Sequence, residues 1–170
     1  TGTDRTLTVG ALCTDGFTED LLAAVTDCSV EEILDQLDAA LSARLIEEDP
    51  DDPEAFRFAH ALIADALTEP LSRPRRARYH TAIATSLESL GASAEKLAHH
   101  FLAGSGAESL AKGAEYAYRA AVESLRLWDH DAAGRLLEAG LAAIEGAPDE
   151  VGIRIDLLTE LSMVRKHQGR

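Results

Sequence analysis

The side chains with the most chemical potential are the histidines, the carboxylate runs and two cysteines, and their spacing limits what each can do. His60 follows Phe56-Arg57-Phe58-Ala59 and precedes the apolar run Ala61-Leu62-Ile63-Ala64-Asp65-Ala66-Leu67. A histidine at a helix N-terminus sits where the dipole and the free N–H groups favour an anion, so a phosphate fits beside it. The other reading of His60 is a residue that caps or packs at a strand-to-helix corner. His99 and His100 are adjacent; on a helix they point about 100° apart and cannot share a metal as an i, i+4 pair can. Asp129-His130-Asp131 has metal-ligand residue types, but it falls between two helical runs, where Asp commonly caps the next helix. The run from Asp49 to Glu54 lacks the Gly and the distal Glu of a calcium loop and reads as a solvated turn. Cys13 and Cys28 are too few for a disulfide framework and lack metal or redox spacing, so plain thiols in a reducing compartment are expected. There is no Gly-x-x-x-x-Gly-Lys-Ser/Thr phosphate loop and no nucleophile–base or paired-carboxylate pattern. The chain is therefore expected to be non-catalytic, with no metal and no cofactor of its own.

The elements around His60 follow from capping and periodicity. Residues 5–13 form a short apolar run that suits a buried helix. Thr18 can cap a helix reaching about Val25, with Phe17 and Leu22 as a hydrophobic staple and Glu19 and Asp20 at the positive end of the dipole. Ser29-Val30-Glu31-Glu32 is a capping box, and Val30, Ile33, Leu34, Leu37, Ala40 and Leu41 follow at helical spacing. That period breaks at Leu45-Ile46-Glu47-Glu48. After the Asp49–Pro53 turn, Phe56-Arg57-Phe58 completes a β-hairpin with both aromatics inward, and a helix from His60 to Leu67 follows. Three helices, a hairpin and a helix is the order of a winged helix. A DNA-reading winged helix needs a basic third helix and wing, yet here those carry Glu31, Glu32, Asp35, Asp38 and the carboxylates of residues 49–54. No direct DNA binding is expected.

A composition break at Pro70-Leu71-Ser72-Arg73-Pro74 places a module boundary at residue 70, giving an acidic winged-helix module over 1–70 and a helical-repeat region over 71–170. Beyond it every apolar run has a helical period. One helix carries Tyr79, Ile83, Leu87 and Leu90 on a face and ends at Gly91. A short one opens at Ser93 with Leu97, Ala98, Phe101 and Leu102 inward and closes at Gly104. A long helix from about Ala107 buries Leu110, Ala114, Ala117, Ala121, Leu125 and Trp128, and two more run from Ala132 to Ile144 and from Val151 to Arg165. Ala117, Ala120, Ala121, Ala133, Leu137 and Gly140, then Leu158, Leu161, Ser162 and Gly169, lie on a tetratricopeptide-like frame of interlocking helical hairpins. Ala117 and Leu158 are 41 residues apart, against the usual roughly 34. The frame is degenerate, and a generic helical bundle is the alternative. The expected fold is mainly α with one small hairpin.

Composition bounds the function further. The chain has 170 residues, 46% hydrophobic and 27% charged, which is globular rather than disordered. Its formal charge of −14 argues against a sequence-independent grip on nucleic acid. The charge is uneven: residues 1–70 hold 17 acidic and 3 basic side chains, whereas residues 71–128 hold 5 and 8. No apolar stretch approaches the roughly 20 residues of a membrane span, and no signal peptide is evident, so a cytoplasmic location away from membranes is expected. The chain starts at Thr1 and stops straight after a periodic helical run, and so reads as a piece of a larger protein.

Three segments resemble a known family. Asp49-Pro50 through Phe56-Arg57-Phe58-Ala59-His60-Ala61-Leu62-Ile63, then Arg75-Arg76-Ala77-Arg78-Tyr79-His80, then Leu97-Ala98-His99-His100-Phe101 are similar to large bacterial STAND-type signalling ATPases. These include the LuxR-type transcription regulators related to the maltose regulator, and cyclase- or kinase-linked relatives. The resemblance covers roughly residues 7–145 and implies a winged helix plus the first helical repeats, placed after a P-loop ATPase core. It implies a latch: the winged helix folds back on that core, and His60, with Arg57 as a weaker neighbour, senses the phosphates of bound ADP or ATP. The basic cluster Arg73, Arg75, Arg76 and Arg78 would then serve as an interdomain surface, or simply as a solvated face. The repeats would take an inducer or a partner protein. The rival reading is a free-standing helical adaptor for protein–protein interaction, with no nucleotide role.

Overall fold

A computed structural model of the chain describes residues 2–50, 52–147 and 149–167. The chain is mainly helical with one small antiparallel hairpin, as expected, and divides into two compact units, residues 1–86 and 87–170. The division falls within a helix, later in the chain than the Pro70 region where the composition changes.

The first unit opens with α1 (Gly2–Gly10), α2 (Glu19–Thr26) and α3 (Val30–Ser42). Thr18 caps α2 by accepting from the Leu21 amide, and Ser29 and Glu32 form both halves of the capping box on α3. These two caps satisfy amides that have no partner inside the helix. Ile33, Leu37 and Ala40 of α3 are buried together with Leu22 and Val25 of α2. Val30 and Leu34, expected on the same stripe, are instead 39% and 41% exposed. The buried face is narrower than the apolar one: Ile33, Leu37 and Ala40 are buried, and Leu41 only in part.

Strands β1 (Ile46–Glu48) and β2 (Phe56–Phe58) pair antiparallel, with Ile46 opposite Phe58, Glu47 opposite Arg57 and Glu48 opposite Phe56. A third element joins them. Phe17, just ahead of α2, exchanges two backbone hydrogen bonds with Phe56, of 2.9 and 2.8 Å, and so occupies the far edge of β2. Its ring lies 6.4 Å from Phe56 and 5.6 Å from Phe58, which seats the aromatics of the hairpin against the helical core. The unit closes with α4 (Ala61–Thr68) and the start of α5 (Arg73–Ser89).

The second unit begins with the end of α5 and continues through α6 (Ala94–Leu102), α7 (Ala107–Arg126), α8 (His130–Ala143) and α9 (Val151–His167). Successive helices pack as antiparallel hairpins, and small residues let their backbones approach. A Cβ on Gly140 of α8 would stand 3.3 Å from Ala117 of α7 and 3.2 Å from Leu157 of α9. Of the residues on the repeat frame, Ala117, Ala120, Ala121, Ala133, Leu137, Gly140 and Leu161 are buried. Leu158 and Ser162 are exposed, and Gly169 lies outside the described residues.

Trp128 is a correction: expected inside α7, it is 82% exposed. α7 ends at Arg126, and Trp128 adopts φ 61° one residue past the C-cap Leu127. Its amide donates to Leu125 O and that of Asp129 to Ser124 O, the paired bonds of a Schellman ending. The reversed backbone swings Trp128 off the helix face that its spacing implied. Leu90 departs likewise, at 53% exposed, because it follows Ser89, the last residue of α5. Gly91 takes the left-handed position there, at φ 74°, as its type suggests.

Glu88, at the end of α5, accepts from Lys112 Nζ and from Tyr116 Oη of α7, each at 2.8 Å. Those bonds, Lys112 first, hold its carboxyl below the ordinary glutamate value. The Tyr116 ring lies parallel to Phe101 of α6 at 5.7 Å, so one polar clamp and one ring pair fasten α7.

Candidate functional site

The site is built where α3 hands the chain to the hairpin. α3 has its C-cap at Ala43, and Arg44 then takes φ 57°, the left-handed conformation where glycine is usual. The Arg44 amide donates to Leu41 O and the Leu45 amide to Ala40 O, both at 2.9 Å, so this ending too is a Schellman motif. A non-glycine residue held there stores about 1 kcal/mol or more of backbone strain. Directly after the turn, Leu45 O accepts from the Ala59 amide at 3.1 Å. That bond brings the exit of β2 against the α3–β1 corner and sets His60 beside it.

His60 is the N-cap of α4, with extended backbone at φ −144° and ψ 135° and no capping bond from its own side chain. It is exposed. With Leu41, Arg44, Ile46, Glu47, Glu48 and Ala59 it lines an open groove of about 650 Å³. The groove therefore offers an imidazole and a guanidinium, both hydrogen-bond donors to an anion. Glu47 and Glu48 bring opposing charge to the same groove. Glu47 is engaged by Arg57, whose Nη2 and Nε lie 2.7 and 2.9 Å from Glu47 Oε1. Arg57 is thus committed across the hairpin and is not among the groove's lining residues. Arg44 is the residue that sequence reasoning missed. An arginine just past the end of a periodic helix, where glycine is usual, was its only signal.

All four arginines of the basic cluster are exposed, and two of them also have partners within the first unit. Arg76 donates to Thr68 O at 2.8 Å, tying the start of α5 to the end of α4, and the Arg75 guanidinium lies 5.9 Å from the Tyr79 ring centre. Arg73 and Arg78 are exposed. His99 is exposed and His100 buried, but contrary to the divergence expected of helix neighbours their rings meet edge-on at 5.0 Å and their ring nitrogens lie within 4.8 Å of each other, close enough to share an ion. Asp129 caps α8 by accepting from the Ala132 amide at 2.9 Å, the helix-capping role its position suggested.

α4 presents an uncovered face beside His60: none of its eight residues is buried, and Leu62 is 79% exposed. Among the described residues, no helix is long and apolar enough to cross a membrane. No family model, curated protein or solved structure matches the chain.

Proposed function

We propose that the chain is a regulatory, non-catalytic region of a cytoplasmic STAND-type, LuxR-like signalling or transcription regulator, in which the first unit acts as a nucleotide-state latch. The observation that carries this reading is the pairing of His60, free of any capping role for its ring, with Arg44 across an open groove at an uncovered helix start. Donors poised for an anion there, and an exposed Leu62 to seat against a neighbouring domain, are what a latch closing on bound ADP requires. The helical hairpins of the second unit then supply the surface for an inducer or partner protein. The signal acts by favouring one of two arrangements of latch and ATPase core. Acidic side chains on α3 and the hairpin support a protein-facing rather than a DNA-facing winged helix.

A second reading, a helical adaptor without nucleotide, is favoured by one observation: Glu47 and Glu48 line the same groove and repel phosphate. Nucleotide content separates the two. The native gene product, purified gently and then denatured, is expected to release ADP. His60→Ala should lose most of it, and Arg44→Gly should lose part while folding normally, because glycine suits the left-handed position. Equal retention by the variants, or no nucleotide in the wild type, overturns the latch and leaves the adaptor.

A further inference from the structure

We propose that a second groove of the first unit, between α1, α4 and the start of α5, binds a small amphiphilic organic acid, its carboxylate held by Arg5 and Arg75. This site is separate from the His60 groove and does not rest on the latch reading. Its volume is about 380 Å³, with Ala66, Leu67, Pro70 and Leu71 as apolar wall. That combination of an apolar wall and a few convergent polar groups is the usual make-up of a small-ligand site.

The polar groups are arranged for a carboxylate. Arg5 comes from α1 and Arg75 from α5, on different walls of the groove. Arg75 lies over the ring of the half-buried Tyr79, which restricts where its guanidinium can go. Arg5 spends a single amino group on Val25 O, at a long 3.5 Å, which steadies the side chain and leaves its other donors available. Tyr79 itself also lines the groove. Guanidinium forks match the two oxygens of a carboxylate better than any other common anion except phosphate.

Charge decides between those two. Asp4 lines the same groove and offsets one of the two arginines. Residues 1–70 hold 17 acidic and 3 basic side chains, a field that disfavours an approaching polyanion. A monoanion suffers least from that long-range repulsion and gains fully from short, directional bonds at close range. The apolar wall then requires a hydrocarbon or aromatic body on the acid rather than a bare ion. The rest of the arginine cluster is disposed otherwise: Arg76 is spent on Thr68 O, and Arg73 and Arg78 do not line the groove.

The test is displacement of the fluorescent probe anilinonaphthalene sulfonate by decanoate, kept below micelle-forming concentrations, on the intact chain. Decanoate should displace the probe, whereas decanol and acetate should do so poorly, since each lacks half of the recognised chemistry. Arg5→Gln and Arg75→Gln should each weaken decanoate by about tenfold, the scale of one charge-assisted bond. Arg75→Lys should recover part of the loss, and Arg73→Gln and Arg78→Gln should match the wild type. An unchanged helical circular dichroism spectrum and thermal transition show that each variant is folded. Equal displacement by decanol, equal displacement by acetate, equal weakening by the Arg73 variant, or no decanoate binding would each overturn the site.

Discussion

Replacing Gly113 by Ala should destabilise the second unit, although alanine is the better helix former. Gly113 lies inside α7, where it faces the end of α6. A Cβ there would stand 2.9 Å from both the backbone N and the Cδ2 of Leu102. The Leu102 side chain can rotate away, but its backbone nitrogen can retreat only if α6 shifts. Overpacking costs about 1–3 kcal/mol, and an approach of 2.9 Å to a backbone atom belongs to the upper part, about 2–3 kcal/mol; against a propensity gain of about 1 kcal/mol, a net loss of about 1–2 kcal/mol is expected. For a unit of this size that is a fall in Tm of about 4–16 °C. Gly134 of α8 provides the internal control, because its added Cβ would meet only Val164 Cγ1 at 3.6 Å, an ordinary contact. There propensity wins, and Gly134→Ala should raise Tm by a few degrees. Thermal unfolding of the two variants, followed by helical circular dichroism, gives shifts of opposite sign. A Gly113→Ala protein that melts at or above the wild type would refute the close α6–α7 approach on which the sign depends.

Two further outcomes follow from the packing and the polar clamp. Leu37, 1% exposed in the first unit, should cost about 2–5 kcal/mol as Leu37→Ala in chemical denaturation; a negligible change would mean that the α3 face is misassigned. The Glu88 carboxyl is held below its ordinary value in the folded state, so its contribution is present above the unfolded glutamate value and lost as pH falls through the folded one. Side chains this open to solvent limit the contribution to about 0.5–1 kcal/mol. Between neutral pH and the region below about pH 4, wild type should therefore lose more stability than Glu88→Gln; parallel pH profiles would show that the clamp adds nothing.

Much of the local structure was legible because it is written in short-range patterns. The capping box at Ser29 and Glu32, the Thr18 cap, the Asp129 cap and the hairpin on either side of the Asp-Pro turn each need only a few residues to specify. The failures share a different cause. Trp128 and Leu90 keep helical spacing but lie past the last helical residue, and periodicity does not say where a helix stops. Leu34 is apolar and in phase, yet which edge of an apolar face meets a neighbour is a tertiary matter. Phe17 pairs as a single residue, too short for any alternation to appear. In the candidate site His60 could be seen because helix starts are visible. Arg44 could not, because its place depends on the left-handed turn and on the Ala59-to-Leu45 bond that folds the hairpin exit back on it.

The bridge between Phe17 and Phe56 has a bearing on the order in which the first unit assembles. β1 and β2 close a short loop, a pairing that local chain motion reaches quickly and at little entropic cost. The Phe17 bridge instead encloses all of α2 and α3, so its closure costs more chain entropy and is favoured once both helices have shortened the loop. The wing is thus nucleated locally but fastened late. Its outer backbone bonds tie the linker ahead of α2 to the far edge of β2. Loss of either helix would release the linker ahead of α2 along with the far edge of β2, making the strand exit at His60 part of one cooperative opening unit rather than an independent loop.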